Sequence, residues 1–312
     1  MTLKPADNFY AALQAAGLPA VPREFAVVPQ HQIIPSNTMA EICEFIRVFD
    51  EVTARAAWQA AALRGAPAIA QLRRNEVCFF SAWDFHLAPT GEWQLIEFND
   101  NGSGFIFAAL INALYYEAAG LEQEKRIAAP DQVVVFKRRI GDLVEREAVA
   151  FFKKYPDDLF LVLDDAESLQ RGKFFQELQL LNDLFCQRGW QSEIAGPSEL
   201  QWNGRTLLCT GRAVSFIVNR STDFFWQSKV FSALCTAYQA GQVYIAPQLV
   251  RALKTRSQNQ IRDQRNGHQP RHSERQGFRF VIAAWNERQA KRGQEHQAVN
   301  HHQISGAVSR LA

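Results

Sequence analysis

The spacing of apolar residues along the chain changes period several times, and each change predicts an element. Behind Thr38-x-x-Glu41, a capping-box pattern, Ile42, Phe45, Ile46, Phe49 and Val52 recur at helical spacing. They predict a helix running to Gly65, and an Ala-rich stretch over residues 6–16 predicts a shorter one before it. Residues 76–87 and 93–99 are rich in aromatic and β-branched side chains around Pro89-Thr90-Gly91, the signature of a β-hairpin. An apolar helix over 104–119 and an amphipathic one over 132–154 complete a first region, residues 1–156.

From residue 157 the texture is that of strands alternating with helices. Leu159-Phe160-Leu161-Val162-Leu163 is a short apolar run ending in Asp164-Asp165, as a buried strand would. Leu169, Phe174, Leu178, Leu181 and Phe185 mark a helix over 168–188, stopped by Gly189. A strand near 192–195, a hairpin around Asn203-Gly204, and strands at 214–219 and 243–245 flanking a helix at about 227–240 follow. Strand, helix, strand in that order implies a crossover onto a parallel sheet, so the fold class is α/β with α+β elements. Residues 157–254 read as a Rossmann-like parallel subdomain.

Composition narrows the class of protein. With 47% hydrophobic and 21% charged residues, the 312-residue chain has the make-up of a globular protein able to bury a core. No apolar run reaches the roughly 18 residues needed to cross a bilayer. The first 20 residues lack a secretory pattern, so the expectation is a cytoplasmic protein without a membrane partner. Cys43, Cys78, Cys186, Cys209 and Cys235 are odd in number and far apart, which argues for ordinary thiols.

The net charge of +2 hides an asymmetry. Residues 255–312 hold ten Lys or Arg and four Asp or Glu, giving +6, which leaves −4 on residues 1–254. The same segment carries nine Gln and five of the seven His, and only Phe278–Trp285 is dense enough in apolar residues to suggest a short ordered piece.

The hairpin carries the strongest candidate chemistry. Asp84 stands in Trp83-Asp84-Phe85-His86-Leu87, and Glu97 and Asn99 stand in Leu95-Ile96-Glu97-Phe98-Asn99. Two carboxylates and an amide are hard oxygen donors of the kind magnesium takes. A connecting loop of even length, such as Ala88 to Gly91, puts all three on one face, whereas an odd loop without a bulge splits them. The plain alternative is a solvent-facing hairpin whose polar residues only alternate with buried ones. His86 reads as a structural partner of the hairpin and not as a base. Gly102 and Gly104 follow, and would let backbone amides approach a phosphate or simply make a tight turn.

This stretch resembles the metal-binding hairpin of ATP-grasp-like ligases, of the circularly permuted type exemplified by glutathionylspermidine synthase. The resemblance assigns Asp84, Glu97 and Asn99 to the magnesium ions that bridge the nucleotide phosphates. It departs at Ala82, where those synthases carry an Arg. A second block, Asp164-Asp165-x-Glu167, Gly196-Pro197-x-Glu199-Leu200 and Phe216 to Phe224, extends the resemblance over about residues 30–250. There Asn219, Arg220 and Asp223 follow a strand end, where open α/β sheets place ligand loops. Arg220 suits a carboxylate or phosphate, or pairs with an Asp to pin the loop. Asp164-Asp165 also resembles the acidic pocket of a receiver domain, but the other residues such a domain needs are not found at suitable strand ends.

The resemblance implies an ATP-grasp-like body, ATP and Mg2+ as cofactors, and ligation of a small-molecule carboxylate to an amine through an acyl phosphate. Arg220 and Asp223 would orient substrate, and Asn219, Gly102 and Gly104 would meet the nucleotide. It breaks off near residue 254, where the lysine-bearing nucleotide segment of such ligases is not recognisable, so turnover is expected to be absent or severely impaired. A reading-frame change near residues 250–260, a basic tail that contacts nucleic-acid phosphates, and a plain disordered extension are the three explanations. The nucleic-acid reading is the alternative function, a noncatalytic binding protein.

Overall fold

A computed structural model describes residues 33–64, 66–72, 81–88, 90–99, 101, 104–118, 129–172, 174–223 and 225–247, together with residues 7, 11 and 15. Most of the Ala-rich 6–16 stretch and all of 255–312 lie outside the described residues. The chain falls into two compact units.

One unit holds residues 34–66 and the hairpin turn, 87–93. Its long helix, α1 (Ser36–Ala54), begins two residues before the capping-box threonine and buries Ile42, Phe45, Val48, Phe49 and Val52. Thr38 is buried in the first turn rather than capping it, and Glu41 instead accepts a 3.2 Å bond from the Trp93 indole. The ring of Phe45 meets Trp93 edge-on at 5.4 Å. The expected single helix to Gly65 is interrupted because Arg55 takes an extended backbone (φ −67°, ψ 138°), after which α2 (Ala56–Ala62) starts afresh.

The other unit holds the hairpin strands and the sheet. Strands β1 (Ala82–Leu87) and β2 (Trp93–Asn99) form a two-stranded sheet. Helices α3 (Phe105–Ala118) and α4 (Ala129–Phe152) follow, and then β3 (Leu159–Leu163), every residue of which is buried. The predicted 168–188 helix is two helices, α5 (Ala166–Arg171) and α6 (Phe175–Gln187). Gly172 separates them: a Cβ there would lie 2.4 Å from the Ser168 carbonyl oxygen. Next come β4 (Ser192–Ala195), β5 (Leu200–Trp202), β6 (Leu207–Cys209), β7 (Arg212–Asn219), α7 (Ser232–Gln239) and β8 (Tyr244–Ala246).

Strands β4, β3, β7 and β8 lie side by side in parallel, while β6 and β5 continue antiparallel from the first residues of β7. The sheet is covered on both faces. Phe160, Val162, Phe216, Val218 and Tyr244 pack against α3, α4 and α6 on one side. Leu161, Leu163, Ile217 and Ile245 pack against α7, β5 and β6 on the other. Alternate residues of each central strand thus serve opposite cores, which is why these strands read as unbroken apolar runs. The α/β class follows directly. The chain runs from β3 outward to β4 and returns on the other side of β3 as β7, so the strand order reverses between β3 and β7. Open α/β sheets bind ligands outside the carboxyl ends of the strands at such a reversal.

Candidate functional site

At the hairpin turn the Ala88 amide donates to the Glu92 carbonyl at 2.8 Å, and the Gly91 amide to the Ala88 carbonyl at 2.9 Å. Gly91 takes the left-handed conformation (φ +89°) that a bulged turn needs. The connection, 88–92, is therefore odd in length and bulged. Counted back from the Ala88–Glu92 bond, Asp84 stands opposite Ile96, and exposure follows: Asp84, His86, Gln94 and Ile96 are exposed, while Glu97 and Asn99 are half-buried. At the far end the Trp83 ring stacks on Phe98 at 4.8 Å.

Burial first, and repulsion from Glu97 second, raise the Asp84 carboxyl above its ordinary value. Asn99 lies two residues beyond Glu97 and so shares its face. A divalent cation suits such a set, because it removes the repulsion that raises Asp84 and takes oxygen donors. Among the described residues no group of three or more His, Cys, Asp or Glu side chains gathers as a metal centre; the hairpin offers two carboxylates and an amide.

The residues after β7 are bound into the protein itself. The Arg220 amide extends the ladder to the Leu163 carbonyl at 2.7 Å. Its guanidinium Nη2 pairs with Glu177 Oε2 at 2.8 Å, with side-chain exposures of 1% and 0%, and the Phe105 ring lies 5.5 Å from the guanidinium carbon. Arg220 Nε and Nη1 are buried without a hydrogen-bond partner among the described residues. Asn219 Oδ1 accepts from the Ser221 amide at 3.2 Å and from its hydroxyl at 2.9 Å. The Asp223 carboxylate caps the next turn, accepting from the amides of Gln227 at 3.2 Å and Ser228 at 3.0 Å. Arg220 is therefore pinned by an acid, but by Glu177 and not by Asp223.

Of the two glycines, Gly102 lies outside the described residues. Gly104, at φ +84°, donates its amide to Glu177 Oε2 at 2.8 Å. The next amides, of Ile106 and Phe107, donate to Glu177 Oε1 at 2.7 and 3.4 Å. A nucleotide phosphate therefore does not fit against Gly104 in this arrangement, because the amide already has a carboxylate partner.

Asp164, after β3, completes this region. It is 6% exposed, and its carboxyl is pushed up to about 6, chiefly by burial and further by Asp165. The Asp165 amide, which it accepts at 2.8 Å, Arg220 and Ser168 act the other way. Asp165 itself caps α5 through the Ser168 amide at 3.0 Å.

Sequence reasoning missed Glu177. It stands in Phe174-Phe175-Gln176-Glu177-Leu178, inside an expected helix, where a lone acid reads as a solvated position. The available signal was its place in the first turn of α6, one step from the apolar stripe at Leu178 and Leu181.

No protein-family model matches the chain, and no curated protein matches it. Among solved structures, the chain is similar to a glutathione synthetase-like effector, GSS30, from Globodera pallida in its apo form. The sequences are 10% identical, and the match covers 90% of this chain and 68% of that one with a TM-score of 0.49. A likeness of that size does not establish a shared fold. The α/β class rests on the sheet itself.

Proposed function

We propose that the chain is an ATP-grasp-type protein of the carboxylate–amine ligase kind, with its divalent-metal site on the β1–β2 hairpin. The observation that carries this reading is the placement of Asp84 on one strand of the hairpin and of Glu97 and Asn99 on the other, with repulsion from Glu97 adding to the rise of the Asp84 carboxyl. These side chains would hold magnesium through oxygen. Bound there, the ion supplies charge neutralisation for nucleotide phosphates. The protein's own part would be to hold the two carboxylates on neighbouring strands of one hairpin. ATP, its carboxylate and its amine belong to the proposal through the sequence resemblance. Arg220 and Asp223 contribute to it by shaping the loop after β7.

The lysine-bearing segment of such ligases is not recognisable in the sequence, so the expected turnover is absent or strongly reduced. Titration calorimetry with ATP in the presence and absence of Mg2+ tests the reading. Binding that requires Mg2+ and weakens in Asp84→Asn supports it. Normal ligase-level ATP turnover contradicts the impairment, and Mg2+-independent ATP binding contradicts the metal site.

A second reading has its own observation, the +6 charge of residues 255–312. It makes the chain a noncatalytic binder of nucleic-acid phosphates through that segment. Retention on a nucleic-acid column should then fall steeply with salt and vanish when 255–312 is removed. Retention unaffected by the deletion contradicts it.

A further inference from the structure

The Glu177 carboxylate does what a bound anion does at a helix N-terminus. Each of its oxygens has two donors: Oε2 takes the Gly104 amide and Arg220 Nη2, both at 2.8 Å, and Oε1 takes the amides of Ile106 at 2.7 Å and Phe107 at 3.4 Å. These amides belong to the first turn of the 14-residue helix α3 and the glycine just before it, where unpaired N–H groups and the helix dipole favour negative charge. The donors come from segments 43 to 73 residues away from Glu177 in sequence, so this is tertiary construction and not a local cap.

A second observation points the same way. Arg220, with a side chain 1% exposed, spends one guanidinium nitrogen on Glu177 and leaves Nε and Nη1 without a hydrogen-bond partner among the described residues. A buried guanidinium with unmet donors has capacity for further acceptor oxygens. Arg220, one of the donors of this cradle, thus keeps buried donors that the Glu177 carboxylate does not satisfy.

We propose that the start of α3 and the Arg220 guanidinium form an oxyanion-binding site, suited to a carboxylate or phosphate group, which the chain keeps filled with its own Glu177. In this state the site is closed to external anions. Phosphates of a nucleotide at the hairpin would then be met by groups other than the Gly104 amide. The inference goes beyond the proposed function and does not depend on it, because it stands even if Asp84 and Glu97 hold no metal.

The test is removal of the internal anion followed by its replacement. Glu177→Ala deletes the carboxylate and leaves space, while Glu177→Gln keeps the space filled. Thermal unfolding of the full chain is followed against acetate and inorganic phosphate, with ionic strength held constant by sodium chloride. In Glu177→Ala the midpoint should rise saturably, by about 5–10 °C at a hundredfold excess over Kd. The natural chain and Glu177→Gln should not respond. Adding Arg220→Met to Glu177→Ala should abolish the rise, a readout that lost packing alone would not produce. If Glu177→Ala does not fold unaided, its refolding yield is read instead, and recovery with acetate or phosphate but not chloride supports the site. A response in Glu177→Ala no larger than in Glu177→Gln, or no recovery of yield, overturns it.

Discussion

Arg220 and Glu177 meet at 2.8 Å with almost no solvent exposure on either side chain, joining the loop after β7 to the first turn of α6. A buried pair of this kind is weak evidence for net stability, but losing one member leaves an uncompensated charge. Arg220→Met should therefore cost about 3–5 kcal/mol in urea denaturation. The cost should be nearly independent of salt, since buried charges are little screened. A loss under about 1 kcal/mol, in the range of exposed pairs, would show that the pair is open to water.

Gly104 offers a backbone test of the same junction. Its φ of +84° is left-handed, and an added Cβ would lie 3.4 Å from the Phe174 ring. Gly104→Ala should destabilise the protein by roughly 1–2 kcal/mol. Hydrogen exchange should show faster exchange at the Ile106 amide, whose 2.7 Å bond to Glu177 depends on that turn.

Asp164 sets a pH dependence whose sign is fixed by its environment. Its carboxyl titrates at about 6 in the folded chain against an ordinary value of 3.8, so the folded state holds its proton more tightly than the unfolded state. Its contribution favours folding fully at low pH and is lost as pH rises from about 4 to about 6, with no further change above. Asp164→Asn removes that loss while keeping an acceptor for the Asp165 amide. The variant should match the natural chain below about pH 4 and exceed it by up to about 3 kcal/mol above pH 6. Urea midpoints across this range check it, and a difference independent of pH contradicts it.

Much of the architecture was legible because strand and helix periods differ. The buried runs at 159–163 and 214–219, and the helices between and after them, stand where their periods put them, since both faces of the sheet are covered. Breaks inside helices were harder. The gap at Gly172 depends on its contact with the Ser168 carbonyl, and that at Arg55 on one extended residue. The hairpin phase depends on loop length and on a bulge together, and the bulge rests on the left-handed Gly91 and the turn's main-chain bonds, which composition alone does not specify. Glu177 was invisible for a different reason. Its partners are main-chain amides and an Arg far off in sequence, and backbone donors leave no residue pattern to find.

The repulsion of Asp84 by Glu97 predicts a dependence between the two groups. Glu97→Gln should lower the Asp84 carboxyl towards its ordinary value, because the repulsive part of its shift is gone while burial stays. Carbon-13 NMR titration of Asp84 reads this directly. An unchanged titration would mean that the two carboxylates do not sense each other.

The most direct measurement is electron paramagnetic resonance titration of the full chain with Mn2+, a spectroscopic stand-in for Mg2+, alongside Asp84→Asn, Glu97→Gln and Asn99→Ala. The hairpin reading predicts saturable binding by the natural chain. It predicts weakening by at least roughly tenfold in each carboxylate variant, a loss that even outer-shell partners of metal sites can cause, and a smaller weakening in Asn99→Ala. No saturable binding, or binding indifferent to both Asp84→Asn and Glu97→Gln, would contradict it.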